Sequence, residues 1–113
     1  MRIRIERNGR TVRLFPDGAL TAETGGALRR AAAQVLEAGA RYIEIDAVRL
    51  RFIDAAGLGE LVACMRMIQA SGADFRFCGA RGKTRELVKL TGLDALLMPG
   101  DPASGIRLHF RVA

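Results

Sequence analysis

The chain has 113 residues, 50% apolar and 27% charged, the make-up of one globular domain, and no apolar run approaches the roughly 20 residues that span a bilayer. Eighteen Lys and Arg against 12 Asp and Glu leave a net charge of +6. The basic residues are scattered and the aromatic residues are only five Phe and one Tyr, so solvated faces are expected here, not a nucleic-acid footprint. Cys64 and Cys78 fall inside apolar patterns and are expected as free, mostly buried thiols, while a lone His109 argues against a zinc site. The opening "MRIRIERNGR" alternates charge with apolar residues and does not read as a secretory signal, so a cytoplasmic chain is expected.

In chain order, "IRIERNGRTVRLF" predicts a β-hairpin: Ile3 and Ile5 alternate with charges, Asn8-Gly9 supplies the two-residue turn, and Val12 and Leu14 resume the alternation. "PDG" is expected to end that pattern. A helix is predicted from Thr21, with Thr21 as cap, Glu23 in the first turn, and Leu28, Ala32, Val35 and Leu36 facing inward up to Gly39. Gly25-Gly26 weakens its first turns. "RYIEID" predicts a strand. Leu58, Leu61, Val62, Met65 and Ile68 recur at helical spacing, with Cys64 at the edge of that stripe and Met67 opposite it, and the helix stops at Ser71-Gly72. "DFRFCG" predicts another strand. "GKTRELVKLTGL" predicts a third helix with Leu87 and Leu90 inward and Gly92 as its stop. "MPGDPASG" reads as a loop and "IRLHFRV" as a last strand. This order implies a single compact α/β domain over 1–113, a mixed sheet of about five strands flanked by three or four helices.

Two stretches invite a chemical reading. "GARGKT", residues 79–84, follows a strand and opens a helix, as a phosphate-binding loop does. That motif needs a glycine five positions before the Gly of Gly-Lys-Thr, and Phe77 stands there, so Lys83 is read as decorating a helix start. "FIDAAGLGEL", residues 52–61, is the stronger one. Asp54 can cap the following turn, Gly57 and Gly59 permit close backbone approach, and a helix N-terminus attracts anions. A phosphorylated hydroxyl at position 55 or 56 would add about −2 of charge there, yet both positions hold Ala. No nucleophile–base set or carboxylate pair can be assembled, so no catalytic residue, metal or cofactor is expected.

"RFIDAAGLGELVACMRMIQASGADFRFCGARGKTRELVKLTGLDALL" resembles the core of the STAS family, the domain shared by anti-sigma-factor antagonists, stressosome subunits and the cytoplasmic tails of anion transporters. The pieces that carry the resemblance are apolar-Asp-x-x-Gly-Leu-Gly at Ile53 to Gly59, the helix after it, and Leu90, Thr91, Gly92 and Leu93. It covers residues 42–97, with the hairpin and first helix in order before it. The resemblance implies a STAS-like binding module without catalysis. Antagonists of this family dock through an Asp-Ser-Ser/Thr-Gly loop and the next helix onto an ATP-binding serine kinase that also holds the sigma factor. That kinase phosphorylates the loop and expels them. Asp54, Gly57, Leu58 and Gly59 match the loop, whereas Ala55 and Ala56 occupy the hydroxyl positions, Ala56 that of the usual phosphoacceptor. The expected partner surface is therefore Asp54, Ala55, Ala56, Gly57, Leu58, Gly59 and Glu60, continued by Ala63 and Met67, with no phosphorylation at the usual place.

The partner expected first is an anti-sigma factor of the serine-kinase-like kind; the alternative is the ATPase of a lipid-trafficking ABC transporter, with this chain as its STAS subunit. A rival from another class is a nucleotide-binding enzyme using Lys83 and Thr84. Neither direct nucleic-acid binding nor a membrane span is expected. The strands Ile3 to Glu6 and Ile106 to Val112 can pair between two copies in a homodimer or with each other.

Overall fold

A computed structural model describes residues 1–97; the loop and final strand expected beyond Leu97, with His109, lie outside them. Strand β1 (Arg2–Asn8) pairs antiparallel with β2 (Thr11–Leu20) from Arg2↔Asp17 to Asn8↔Thr11. The turn is therefore Gly9-Arg10, one residue later than expected. Asn8 stays in the ladder because Gly9, at φ +63°, takes the left-handed position that the turn requires. The Arg7 guanidinium ties this hairpin to the rest of the fold, donating to Gly9 O at 3.0 Å and to Ala38 O at 2.6 Å.

"PDG" does not end β2. The strand runs on to Leu20 because it changes partner there: β3 (Tyr42–Asp46) pairs parallel with it as far as Leu14↔Ile45, and β4 (Leu50–Ile53) takes over from Gly18↔Leu50. Pro16, which has no N–H to donate, sits in the gap between these ladders, and Gly18 at φ +108° absorbs the register shift. The expected order holds one strand, "RYIEID", between the first two helices, whereas the short β4 is a second one there. It follows a 3-10 turn, Ala47–Arg49, that Asp46 caps by accepting from Val48 N at 2.9 Å. With β5 (Asp74–Cys78) parallel to β3, the mixed sheet has five strands among the described residues, and β4 pairs β2 beside the path β1-β2-β3-β5.

Helix α1 (Gly25–Glu37) starts four residues after the expected cap. Thr21 and Thr24 instead close a separate turn. Thr24 Oγ1 accepts from Thr21 N at 2.9 Å and donates to Ala19 O at 2.8 Å, which leaves Glu23 outside the helix. Gly25 is required by packing: a Cβ there would lie 2.3 Å from Glu60 Cγ, so the start of α1 rests on α2 (Ala55–Ala70). Leu28, Ala32 and Val35 are buried as expected, together with Ala31, and Leu36 is half-buried.

One face of the sheet (Val12, Leu14, Ile43, Ile45, Phe77) packs with Leu28 and Val35 of α1, Leu58, Leu61, Met65 and Ile68 of α2, and Val88 of α3 (Gly82–Leu90). Burying each of these side chains contributes about 1.5–3 kcal/mol. The opposite face carries a cross-strand row of alternating charge, Glu6, Arg13, Glu44 and Arg76. Arg13 hydrogen-bonds the buried Glu44, and Arg76 lies 3.5 Å from the same carboxylate. The Glu44 hydrogen bond, then its charge, holds the Arg13 guanidinium above its ordinary pKa.

Two inward faces differ from expectation. Cys64 is fully buried and Met67 is half-buried against the core, because α2 packs on both α1 and the sheet and so buries a wider arc. In α3 the buried residues are Thr84 and Val88, four apart. Leu90, two positions further and about 200° round, is 84% exposed, so it does not face inward. The chain passes Gly92 (φ +74°), the expected stop, into a single turn, α4 (Asp94–Leu97).

Candidate functional site

β4 ends at Ile53, and the next residue turns the chain into α2. Asp54 is its N-cap, at φ −105° and ψ 179°, with Oδ1 accepting from Gly57 N at 2.6 Å. This satisfies one of the orphan amides of the first turn and suits the positive end of the helix dipole. The turn is held from beneath as well. Asp54 N donates to Leu20 O at 3.4 Å, and a Cβ on Gly57 would lie 1.9 Å from that same oxygen. Backbone thus rests on backbone where β2 ends, which only glycine allows.

The expected partner residues separate into two groups. Ala55, Ala56 and Gly59 are exposed, and Ala63 continues the same face one turn on. Gly57 and Leu58 are buried, Leu58 at 2% exposure, so they shape the site from within. Glu60 turns to α1, with Oε2 2.8 Å from Arg29 Nε and its side chain packed against Gly25. Met67 belongs to the core side. What remains outward on the first turns of α2 is Ala55, Ala56, Gly59 and Ala63, a smooth face without a hydroxyl, thiol or charge. Gly59 is the unexplained one within the fold: nothing lies within 4 Å of where its Cβ would stand.

At the other candidate loop the fold leaves little for a phosphate. The position a Cβ of Gly79 would take is 2.1 Å from Asp46 Oδ1, so a carboxylate already sits there, and Thr84 is buried while Lys83 is exposed. Among the described residues no three His, Cys, Asp or Glu side chains stand together as metal ligands, and no helix is long and apolar enough to cross a membrane. Both thiols are free. Burial, the larger cause at each, pushes Cys64 and Cys78 up to about 12, and Glu44 adds to the effect at Cys78.

One grouping was invisible in the sequence. Arg49 and Arg51, which read as scattered charge, come together with Arg81 around a surface cleft of about 300 Å³ lined also by Asp17, Val48 and Leu50. Parallel pairing of β4 with β2 and the start of α3 bring these three segments together, and only the spacing of Arg49 and Arg51 was legible beforehand.

Known folds match this arrangement. Of the chain, 84% superposes on 82% of a putative anti-sigma factor antagonist from Thermotoga maritima, with TM-score 0.73 and 23% identity. An anti-sigma factor antagonist from Mycobacterium paratuberculosis gives 0.71 at 23% identity over 86% of this chain and 82% of that one. The anti-sigma factor antagonist SpoIIAA in its unphosphorylated form gives 0.67 at 23% identity over 81% and 82%. No curated protein matches the chain. The family model described as "Mlab, STAS domain" matches residues 2–99, from the hairpin through the capped turn of α2 and beyond α4, and the chain belongs to that STAS family.

Proposed function

We propose that this chain is a non-catalytic docking module whose contact surface is the outward face of Ala55, Ala56, Gly59 and Ala63. The observation that carries this is Gly59, a glycine inside a helix with open space beside it. Glycine there costs about 1 kcal/mol relative to alanine, and nothing in the fold needs it. Close approach of a partner's backbone gives it a purpose. The partner is a serine-kinase-like regulator that binds this face as it would bind an unphosphorylated antagonist. With methyl groups at 55 and 56, no phosphoryl group can place its charge there, so the contact is standing and not switched.

A second reading has this chain as the STAS subunit on the ATPase of a lipid-trafficking transporter. The family description, which names Mlab, favours it, and a standing contact suits a permanent subunit. One experiment addresses both. Affinity-tagged chain is recovered from its own cells beside an Ala56→Glu variant, whose exposed site and helix-start position tolerate the carboxylate. Wild type should retain an ATP-binding protein that the variant loses, with unchanged circular dichroism. The recovered protein's identity, kinase-like or transporter ATPase, separates the readings. Equal retention by the variant would remove this face from the contact.

A further inference from the structure

The cleft formed by Arg49, Arg51 and Arg81 differs from the rest of the basic surface. Elsewhere several guanidinium groups are matched: Arg4 lies 2.9 Å from Glu6, Arg29 2.8 Å from Glu60, and Arg76 3.5 Å from Glu44. Among the described residues, none of Arg49, Arg51 and Arg81 has a carboxylate within 4.0 Å, although Asp17 lines the same cleft. Arg81 is nevertheless held in place, donating to Val48 O at 3.4 Å and so tying the start of α3 to the 3-10 turn before Arg51. Three like charges around one carboxylate repel each other and focus a positive potential into the cleft. The guanidinium fork matches phosphate oxygens two at a time, and about 300 Å³ lies at the lower end of small-ligand sites.

We propose that this cleft binds a phosphate-bearing anion whose oxygens bridge Arg49, Arg51 and Arg81. Two sources carry that chemistry: a soluble phosphate compound, and the headgroup of an anionic phospholipid. Exposed Val48, which lines the cleft, and Phe52, next to Arg51 in the chain, would give the second an apolar fringe. This site is separate from the docking face on α2 and is tested without any partner, so either can fail alone.

The test titrates full-length chain at low salt with inorganic phosphate and pyrophosphate, followed by backbone amide NMR, and in parallel floats it with phosphatidylglycerol or phosphatidylcholine vesicles. Saturable shifts centred on residues 48–51 and 81–83 identify the soluble source. Flotation with phosphatidylglycerol only identifies the headgroup. In either arm Arg81→Gln and the Arg49→Gln/Arg51→Gln pair should weaken binding at least about tenfold, and Arg30→Gln, an exposed arginine on α1, should not. No saturable response in both arms, or equal weakening by Arg30→Gln, overturns the proposal. The wild-type shift map stands even if one variant folds poorly.

Discussion

Gly57→Ala and Gly59→Ala put the same methyl group two residues apart on α2 and should move stability in opposite directions. At 57 the new Cβ would meet backbone only: Leu20 O at 1.9 Å, Leu20 C at 2.5 Å and Thr21 N at 3.0 Å. That backbone is fixed by the pairing Leu20↔Ile53, so relief requires lifting the first turn of α2 and stretching the bond from Gly57 N to Asp54. Overpacking of this kind costs up to about 3 kcal/mol and loss of the cap about 1 kcal/mol, against about 1 kcal/mol of helix propensity gained. The net is a loss of about 3 kcal/mol. At 59 the Cβ meets nothing within 4 Å, so only the propensity gain of about 1 kcal/mol remains. With about 4 °C per kcal/mol for a domain of this size, the midpoints should fall by roughly 12 °C and rise by roughly 4 °C. Thermal and urea unfolding followed by far-UV circular dichroism measures both. A Gly57→Ala protein that melts at or above wild type would refute the backbone-on-backbone account.

Gly25→Ala should destabilise by about 2 kcal/mol through its collision with Glu60, whose Cβ alone would stand 2.5 Å away, and less so in a Glu60→Gly background, giving a non-additive cycle in urea unfolding; strict additivity would mean the two residues do not meet. Neither thiol should react with a disulfide reagent at pH 8 in the native state, whereas both should once guanidinium unfolds the chain; native labelling of Cys64 at a free-thiol rate would contradict its burial. Because folding raises Cys64 from 9.0 to about 12, its contribution is whole below pH 9 and shrinks as pH climbs towards 12. Stability should therefore fall above about pH 9, and less steeply in Cys64→Ala. Incubated with a kinase that modifies antagonists of this family, wild type should show no phosphate on residues 54–59 by mass spectrometry and Ala56→Ser should gain one.

The parts of the fold that were legible are those where one local signal has one structural meaning. The stripe Leu58-Leu61-Met65-Ile68 marks the centre of the face that α2 buries, and a capping Asp54 with Gly57 behind it marks where that helix begins. Where a residue serves a distant neighbour, the local signal misleads. Pro16-Asp17-Gly18 looks like a strand end because nothing nearby shows that β2 is changing partners, and Gly25 looks like a weak helix start because Glu60 is 35 positions away in the chain. Leu90 departs from its expected inward position for a different reason. Thr84 fills an inward position of α3, so assigning that face to leucines turns the helix the wrong way. Of the candidate site, the loop was readable, but burial divided its residues: Leu58 and Glu60 face the fold, and the outward face is smaller than the motif.

The contact of Gly57 with the end of β2 also frees its neighbours. Since the geometry of this corner is set by main-chain atoms and a carboxylate cap, the side chains at 55 and 56 answer to no structural demand of their own. They behave as an interchangeable faceplate on a fixed mount. A methyl, a hydroxyl or a charge can be fitted there without re-engineering the frame, so on the docking proposed above a single codon would convert a permanent attachment into a reversible one.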